Sequence, residues 1–438
     1  MRRIVSWTSC WLCAVVVGAC VDPVSVDSQQ QNDILIVDGT ITNLAEPQRI
    51  RINRSVADRL TGRFGTLPVT KATVDVVTDS AQVSVATETT DGTYQLPADF
   101  RGQVGHAYQL RFTLSDGSRY VSTQQVMQPV PPISQVTAQF SNTSLPTGQL
   151  NGYRAGHTLN VQSQDPAGQH NYYRWDWLLY ERQYWCRSCV QGVYSVYKIL
   201  PNIYKDRDYF VTGDEVYEDC FNPPAGQASY DAPDVPKDYW IYDYPCRSAC
   251  WQILRGYTIN VFDDLYSNGG IISRQSVAQI PFYAPQPALV DIRQLSLTAD
   301  AYRYYKLFAD QTQTTGGLAD TPPTALVGNV RSTTGNPLAV VGYFTASAVS
   351  LVHYWLDRKD TQGVSFGATD PAGAPSGTGD ALFYALNLRR PMAEPPPPYQ
   401  GGRDVPKIRL WPTTDRPPTA PCLLSDNRTP FKPEGWRD

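Results

Sequence analysis

The chain has 438 residues, with 37 Lys and Arg against 41 Asp and Glu and a formal net charge of −4. That mild negative balance lacks the basic stripe that binding to nucleic acid requires, so no nucleic-acid partner is expected. The length allows two or three domains with real cores, and many Thr, Val and Tyr with 35 Pro and 31 Gly predict sheets with frequent turns.

The first element is a leader. Met1-Arg2-Arg3 is a cationic start, and Ile4 to Ala19 is apolar except for Ser6, Thr8 and Ser9. This run is shorter than the roughly 20 apolar residues of a membrane-spanning helix, so residues 1–19 read as a secretory signal peptide. Of the three cysteines there, Cys20 alone follows small residues, Val17-Gly18-Ala19; Cys13 follows Leu12, and Cys10 precedes most of the apolar run. Val17 to Cys20 is therefore a lipobox, and Cys20 is the expected lipidation site. Residues 20–32, with Asp22, Asp27 and three consecutive Gln, form a lipidated polar tether. Two or three acyl chains on one residue anchor stably, where one alone is marginal. The expected product is a lipoprotein held to a membrane outside the cytoplasm.

Residues 33–128 form the clearest module. "DILIVDGTIT", "QRIRINRS", "VTKATVDVVTD", "AQVSVATE", "GTYQLP" and "AYQLRFTLSDGSRYVST" are short strand-like runs. Asp91-Gly92 and Ser115-Asp116-Gly117-Ser118 are hairpin signals between them. So many short strands in under a hundred residues predict an immunoglobulin-like β-sandwich. Pro129-Val130-Pro131-Pro132 marks a linker.

A second, larger β domain is expected over 133–390, opening with "SQVTAQF" and "HTLNVQSQDP". Between residues 171 and 260 lie fourteen of the 27 Tyr and five of the 10 Trp, with five of the six cysteines that follow Cys20. This predicts a disulfide-rich, aromatic-rich insertion at 180–255. The rings either fill a local core or present a contact surface to a partner or ligand; Tyr184, Trp185, Tyr239, Trp240, Tyr242 and Tyr244 are the residues expected in the second role. Cys186, Cys189, Cys220, Cys246, Cys250 and Cys422 are the disulfide candidates. Their even number in an exported chain implies full pairing, among fifteen connectivities that sequence does not resolve. "CRSC" and "CRSAC" stand too far apart for a zinc ribbon, and no βαβ pattern supports a redox role for Cys186 and Cys189.

Near 298–312, "LTADAYRYYKLFADQT" predicts a helix, with Thr298 as N-cap, Asp300 in the first turn, and Ala301, Tyr305 and Phe308 on one face. "LVGNV" and "LAVVGYFTASAVSLVHYWLD" return to strands. Residues 391–438 form a Pro-rich tail, with Pro395 to Pro398 consecutive and Cys422 placed to staple it to the body. The fold class expected is thus mainly β, an immunoglobulin-like sandwich followed by a larger β domain with one or two helices.

No signature of an enzyme is present. There is no "GxSxG", no "HExxH" and no phosphate loop, and His106, His157, His170 and His353 have no second histidine at ligand spacing. Asp214, Glu215, Glu218 and Asp219 in "TGDEVYED" could hold calcium but lack the alternating pattern of a calcium loop, and read as a solvated acidic turn. The expectation is a non-catalytic protein without cofactor or metal.

The blocks "LIVDGTITN", "GTYQLPADFRGQVGHAYQLRFTLSDGSRYVS", "DPAGQHNYYRW", "LSLTADAYRYYKLFADQTQTTGGLADTPPTALVGNV" and "VVGYFTAS" occur in that order. In order and spacing they resemble the domain-of-unknown-function 4249 family of lipoproteins. The resemblance implies an outer-membrane lipoprotein that partners a SusC-like TonB-dependent transporter as an accessory in nutrient capture, with an extracellular ligand it does not name. It brings no catalytic residues. A freestanding surface lipoprotein that binds glycan or peptide is the alternative.

Overall fold

The computed structural model describes residues 34–57, 64–148, 150, 152–195, 208–212, 238–312, 326–334, 339–368, 380–387, 391 and 419–438. The lipidation site Cys20, the tether, Cys220, the acidic cluster 214–219 and the proline run at 395–398 lie outside them, as do the side chains of Cys189, Tyr239, Trp240 and Tyr242. No helix among the described residues is long and apolar enough to cross a membrane.

The protein is mainly β. Its first strands are β1 (Ile34–Thr42), β2 (Arg49–Ala57), β3 (Phe64–Pro68), β4 (Thr73–Thr78), β5 (Gln82–Thr90), β6 (Thr93–Gln95), β7 (Ala107–Thr113), β8 (Arg119–Ser122) and β9 (Gln125–Val126). Then come β10 (Ile133–Ser141), β11 (Gly156–Gln164), β12 (Tyr172–Arg182), β13 (Trp185–Ser195), β14 (Asp208–Thr212), β15 (Asp238–Pro245), β16 (Trp251–Arg255), β17 (Asn260–Asp263), β18 (Ile271–Pro281) and β19 (Ala288–Leu297). Helix α1 (Ala299–Thr312), β20 (Val330–Ser332), β21 (Ala339–Ser347), β22 (Val349–Leu356), α2 (Ala381–Asn387) and β23 (Arg428–Thr429) complete the order.

The first sheet runs β20-β8-β7-β4-β5-β6-β2-β1-β21. Strand β5 pairs with β4 through Gln82–Ala86 and with β6 beyond it, so the sheet folds over and its halves enclose one core. Leu35, Val37, Ile50 and Ile52 meet Val74, Val76, Leu110 and Phe112 there. The two predicted hairpins are present: Gly92 (φ +70°) turns β5 into β6, and Gly117 (φ +85°) turns β7 into β8. A Cβ at Gly92 would collide with Pro68 and the Ile52 carbonyl, so this turn needs glycine for space as well as for φ.

Strands β20 and β21, from the region that sequence assigns to the second domain, belong to this first sheet. β21 lies parallel to β1 over nine residue pairs, from Ile34↔Ala339 to Thr42↔Ser347. The second unit packs the sheet β10-β11-β18 against β22-β19-β12-β16-β23, around Leu159, Val161, Trp175, Ile280, Val290 and Ile292. Strands β13, β14 and β15 form a separate three-stranded sheet over the cysteine-rich insertion. Helix α1 begins as predicted: the Thr298 hydroxyl accepts from the Ala301 amide at 3.3 Å, and Ala301 and Tyr304 are buried against Leu297 and Tyr343.

Among the described residues two disulfides are present, Cys186–Cys246 and Cys250–Cys422. The first joins the "CRSC" and "CRSAC" segments to each other. The second fastens the C-terminal segment to the body, as the position of Cys422 predicts.

His157, on β11, is fully buried against Phe140, with Nε2 at 3.0 Å from Asp360 Oδ1. Burial lowers its pKa below the usual 6.5, and Asp360 opposes that shift without reversing it. The unfolded chain therefore takes up a proton first as pH falls below about 6.5, so stability is lost on acidification from that value downward. His157→Gln should flatten the slope of the urea midpoint against pH across that window. An unchanged slope would contradict this reading.

Candidate functional site

A cleft of about 440 Å³ lies between the two units. It forms where two sheets turn their polar faces toward each other. In β1 and β2, Leu35, Val37, Ile50 and Ile52 point into the first core, leaving Asp38, Thr40, Arg49 and Arg51 on the other face. In β12, Tyr173 and Trp175 point into the second core, leaving Arg174 and Asp176 on the other face. The period of two in a strand sorts the side chains in this way. Arg293 of β19, Arg255 at the end of β16 and Tyr305 of α1 close the walls.

The lining holds five arginines against three carboxylates, Asp38, Glu46 and Asp176. Arg293 spans the units with a bidentate pair to Glu46, at 2.9 and 2.8 Å. Arg174 donates to Asp176 Oδ2 at 2.7 Å and lies 4.6 Å over the Tyr305 ring. Burial opposes the charge on Arg174, but Asp176 and Tyr305 outweigh it, so its pKa stands above the ordinary arginine value and the guanidinium stays charged. Burial raises the pKa of Tyr305 as well, against the opposing pull of Arg174, so it remains a phenol at neutral pH. The Nε atoms of Arg174 and Arg293 are buried with no hydrogen-bond partner. Five guanidiniums around such a cleft suit a carboxylate or phosphate group, which accepts bidentate hydrogen bonds.

The C-terminal segment reaches the rim. Asp426 accepts from Arg51 at 2.7 Å and lies 3.6 Å from Arg49, while its carbonyl accepts from Arg255 at 2.9 Å. The exposed ring of Tyr257 stands at the mouth, 93% accessible. Gly256, beside it, is in close contact with the Trp177 indole, and a Cβ there would overlap Nε1. Gly256→Ala should displace the indole and reshape the cleft, changing Trp fluorescence while the melting temperature moves by less than about 5 °C, the effect of roughly 1 kcal/mol or less. An identical emission spectrum would count against the contact.

Of the aromatic residues singled out from sequence, Tyr184, Trp185 and Tyr244 do not line this cleft. Tyr184 is 45% exposed. Trp185 is half-buried and donates its indole N–H to Asp380 at 2.7 Å. Tyr244 is buried with Cys186, Cys250 and Cys422, so it packs a small core and offers no contact surface. Tyr239, Trp240 and Tyr242 lie along β15. The arginines escaped sequence reasoning, although "RIRINR" at 49–54 carries the signal: Arg49 and Arg51 alternate with buried Ile50 and Ile52.

The family model described as Domain of unknown function (DUF4249) matches residues 21–351. No curated protein matches the chain.

Proposed function

The chain belongs to the DUF4249 family, and from that premise we propose that it is a lipid-anchored, non-catalytic accessory of a SusC-like TonB-dependent transporter, capturing a small anionic solute at the cell surface. The arginine-lined cleft between the two units is the observation that carries this reading. A ligand bound between two β units is desolvated on both sides, and its charge meets preformed guanidinium donors. The Val17-Gly18-Ala19-Cys20 approach supports anchoring, and a short polar tether would hold the body near the membrane plane, where a high effective concentration favours docking on a neighbouring barrel.

Purification of the tagged protein in mild detergent should bring down a large β-barrel in near-equal amount, and gene deletion should impair uptake of that barrel's solute. A monodisperse protein without partner from native membranes, with transport intact after deletion, overturns the accessory role and favours the freestanding binding lipoprotein. Anchoring has its own test: Cys20→Ala should abolish incorporation of labelled palmitate and release the protein from the membrane fraction.

A further inference from the structure

A second polar cluster lies away from the cleft lining, where the loop between β11 and β12 meets the turn between β17 and β18. His170 Nε2 stands 2.5 Å from Asp263 Oδ1 and 3.5 Å from Asp264 Oδ1, and the ligand atoms of the three residues all lie within 4.8 Å of one another. Asp264 is fully buried. Its Oδ2 accepts from the Asn171 amide at 2.9 Å and from Asn171 Nδ2 at 3.3 Å. Its Oδ1 has no hydrogen-bond partner and faces His170. A buried carboxylate oxygen left unpaired is costly, and it marks a place where something binds.

The surroundings are already committed to holding this arrangement. Asp165, 1% exposed, adjoins Asp264, yet its own oxygens are engaged: Tyr173 donates to one at 2.6 Å and the Gly269 amide to the other at 3.1 Å. Gly168 donates to Asn268 Oδ1 at 2.9 Å, and Asn268 donates back to the Gln169 carbonyl at 2.5 Å, tying the two loops together. The His170 ring stacks on Tyr172 at 4.6 Å, which stacks in turn on Tyr302 of α1 at 4.7 Å. Two carboxylates thus meet one imidazole, with the Asp165 carboxylate beside Asp264 adding to the negative charge there.

We propose that His170, Asp263 and Asp264 form a binding site for a divalent first-row metal ion of the zinc type, with Asn171 as the outer residue whose backbone and side-chain amides hold Asp264. Two ligands bound at about 2.1 Å in tetrahedral geometry stand about 3.4 Å apart, close to the 3.5 Å between His170 Nε2 and Asp264 Oδ1. The metal replaces the proton that joins His170 to Asp263, and that contact opens as the ion enters. The imidazole selects against calcium and magnesium, which take oxygen ligands. No pair of histidines announces the site, because its ligands come from two loops that only the fold brings together.

The test uses the full-length protein, tag-free in detergent with its disulfides intact, stripped with chelator and titrated with Zn²⁺. One ion per chain and a metal-dependent rise in melting temperature are expected. His170→Ala should weaken binding by ~100-fold or more, against the 10–100-fold typical of outer-shell losses, and should abolish the thermal shift. Because the His170 side chain is 43% exposed, this variant should fold, which unchanged near-ultraviolet dichroism of the metal-free form would verify. Asp264→Asn should behave alike in binding. Substoichiometric zinc, or equal affinity in His170→Ala, overturns the proposal; the first result would leave Asp165 and Asp264 sharing a proton instead.

Discussion

Arg358→Met should lower the unfolding free energy by about 3–5 kcal/mol, the cost of removing one partner from a buried ion pair. Arg358 has no accessible side-chain surface and Glu181 has 2%, and they meet at 2.5 Å through Nη2 and Oε1 and at 3.2 Å through Nη1 and Oε2. Nη1 also donates to the carbonyls of Ala284 and Gln286, each at 2.7 Å. One guanidinium therefore joins the end of β12 to the segment between β18 and β19. Burial already raises the pKa of Glu181, and Arg358 is what opposes that rise. Without the arginine, the carboxyl must take a proton or remain charged and unpaired, and two carbonyls lose a donor. The double variant Glu181→Leu with Arg358→Met should recover part of the loss, since an apolar pair of similar volume replaces buried ions at little cost. Urea denaturation measures both; a single-variant loss under about 1 kcal/mol would refute the assignment.

Cys250→Ser with Cys422→Ser should cost about 2–5 kcal/mol, toward the upper end because the bridge closes a long loop. The two cysteines are 172 residues apart. The tail keeps other contacts. Arg428 donates to the Cys186 carbonyl at 2.7 Å, β23 pairs with β16, and the Trp436 ring meets Trp251 and Trp355 edge-on. Backbone bonds at Ala420 and Asn427 add to these, so loss of the covalent tie should make the segment open more often without releasing it outright. Limited proteolysis should then cut within 419–438 in the variant and spare the native protein. Because Asp426 pairs with Arg51 at the cleft rim, opening of the tail should also leave that cation without its carboxylate and tighten binding of an anionic ligand.

What was legible in the sequence follows from the range of each interaction. Alternation in "ATVDVV" places Val74 and Val76 in the core, Asp-Gly pairs mark turns, and Thr298 caps the helix, because each depends on neighbours a few residues away. The pairing of β1 with β21 joins segments with no shared local pattern, so sequence drew a boundary at the proline run, which the sheet crosses. The cleft was hidden for the same reason: Arg51, Arg174 and Arg293 come from three strands, each reading only as a polar face. Abundance misled in the insertion, where Tyr244 is spent on packing the cystines.

The parallel contact of β1 with β21 also sets an order of assembly. Synthesis delivers the N-terminus first, yet the partner of Thr40, Thr345, follows 305 residues later. Throughout that interval β1 has β2 on one side and an open row of amides and carbonyls on the other, the kind of edge that recruits foreign strands. The first unit thus stays unfinished for most of synthesis, with that edge open to pairing. A fragment ending at 128 would carry the same open edge permanently.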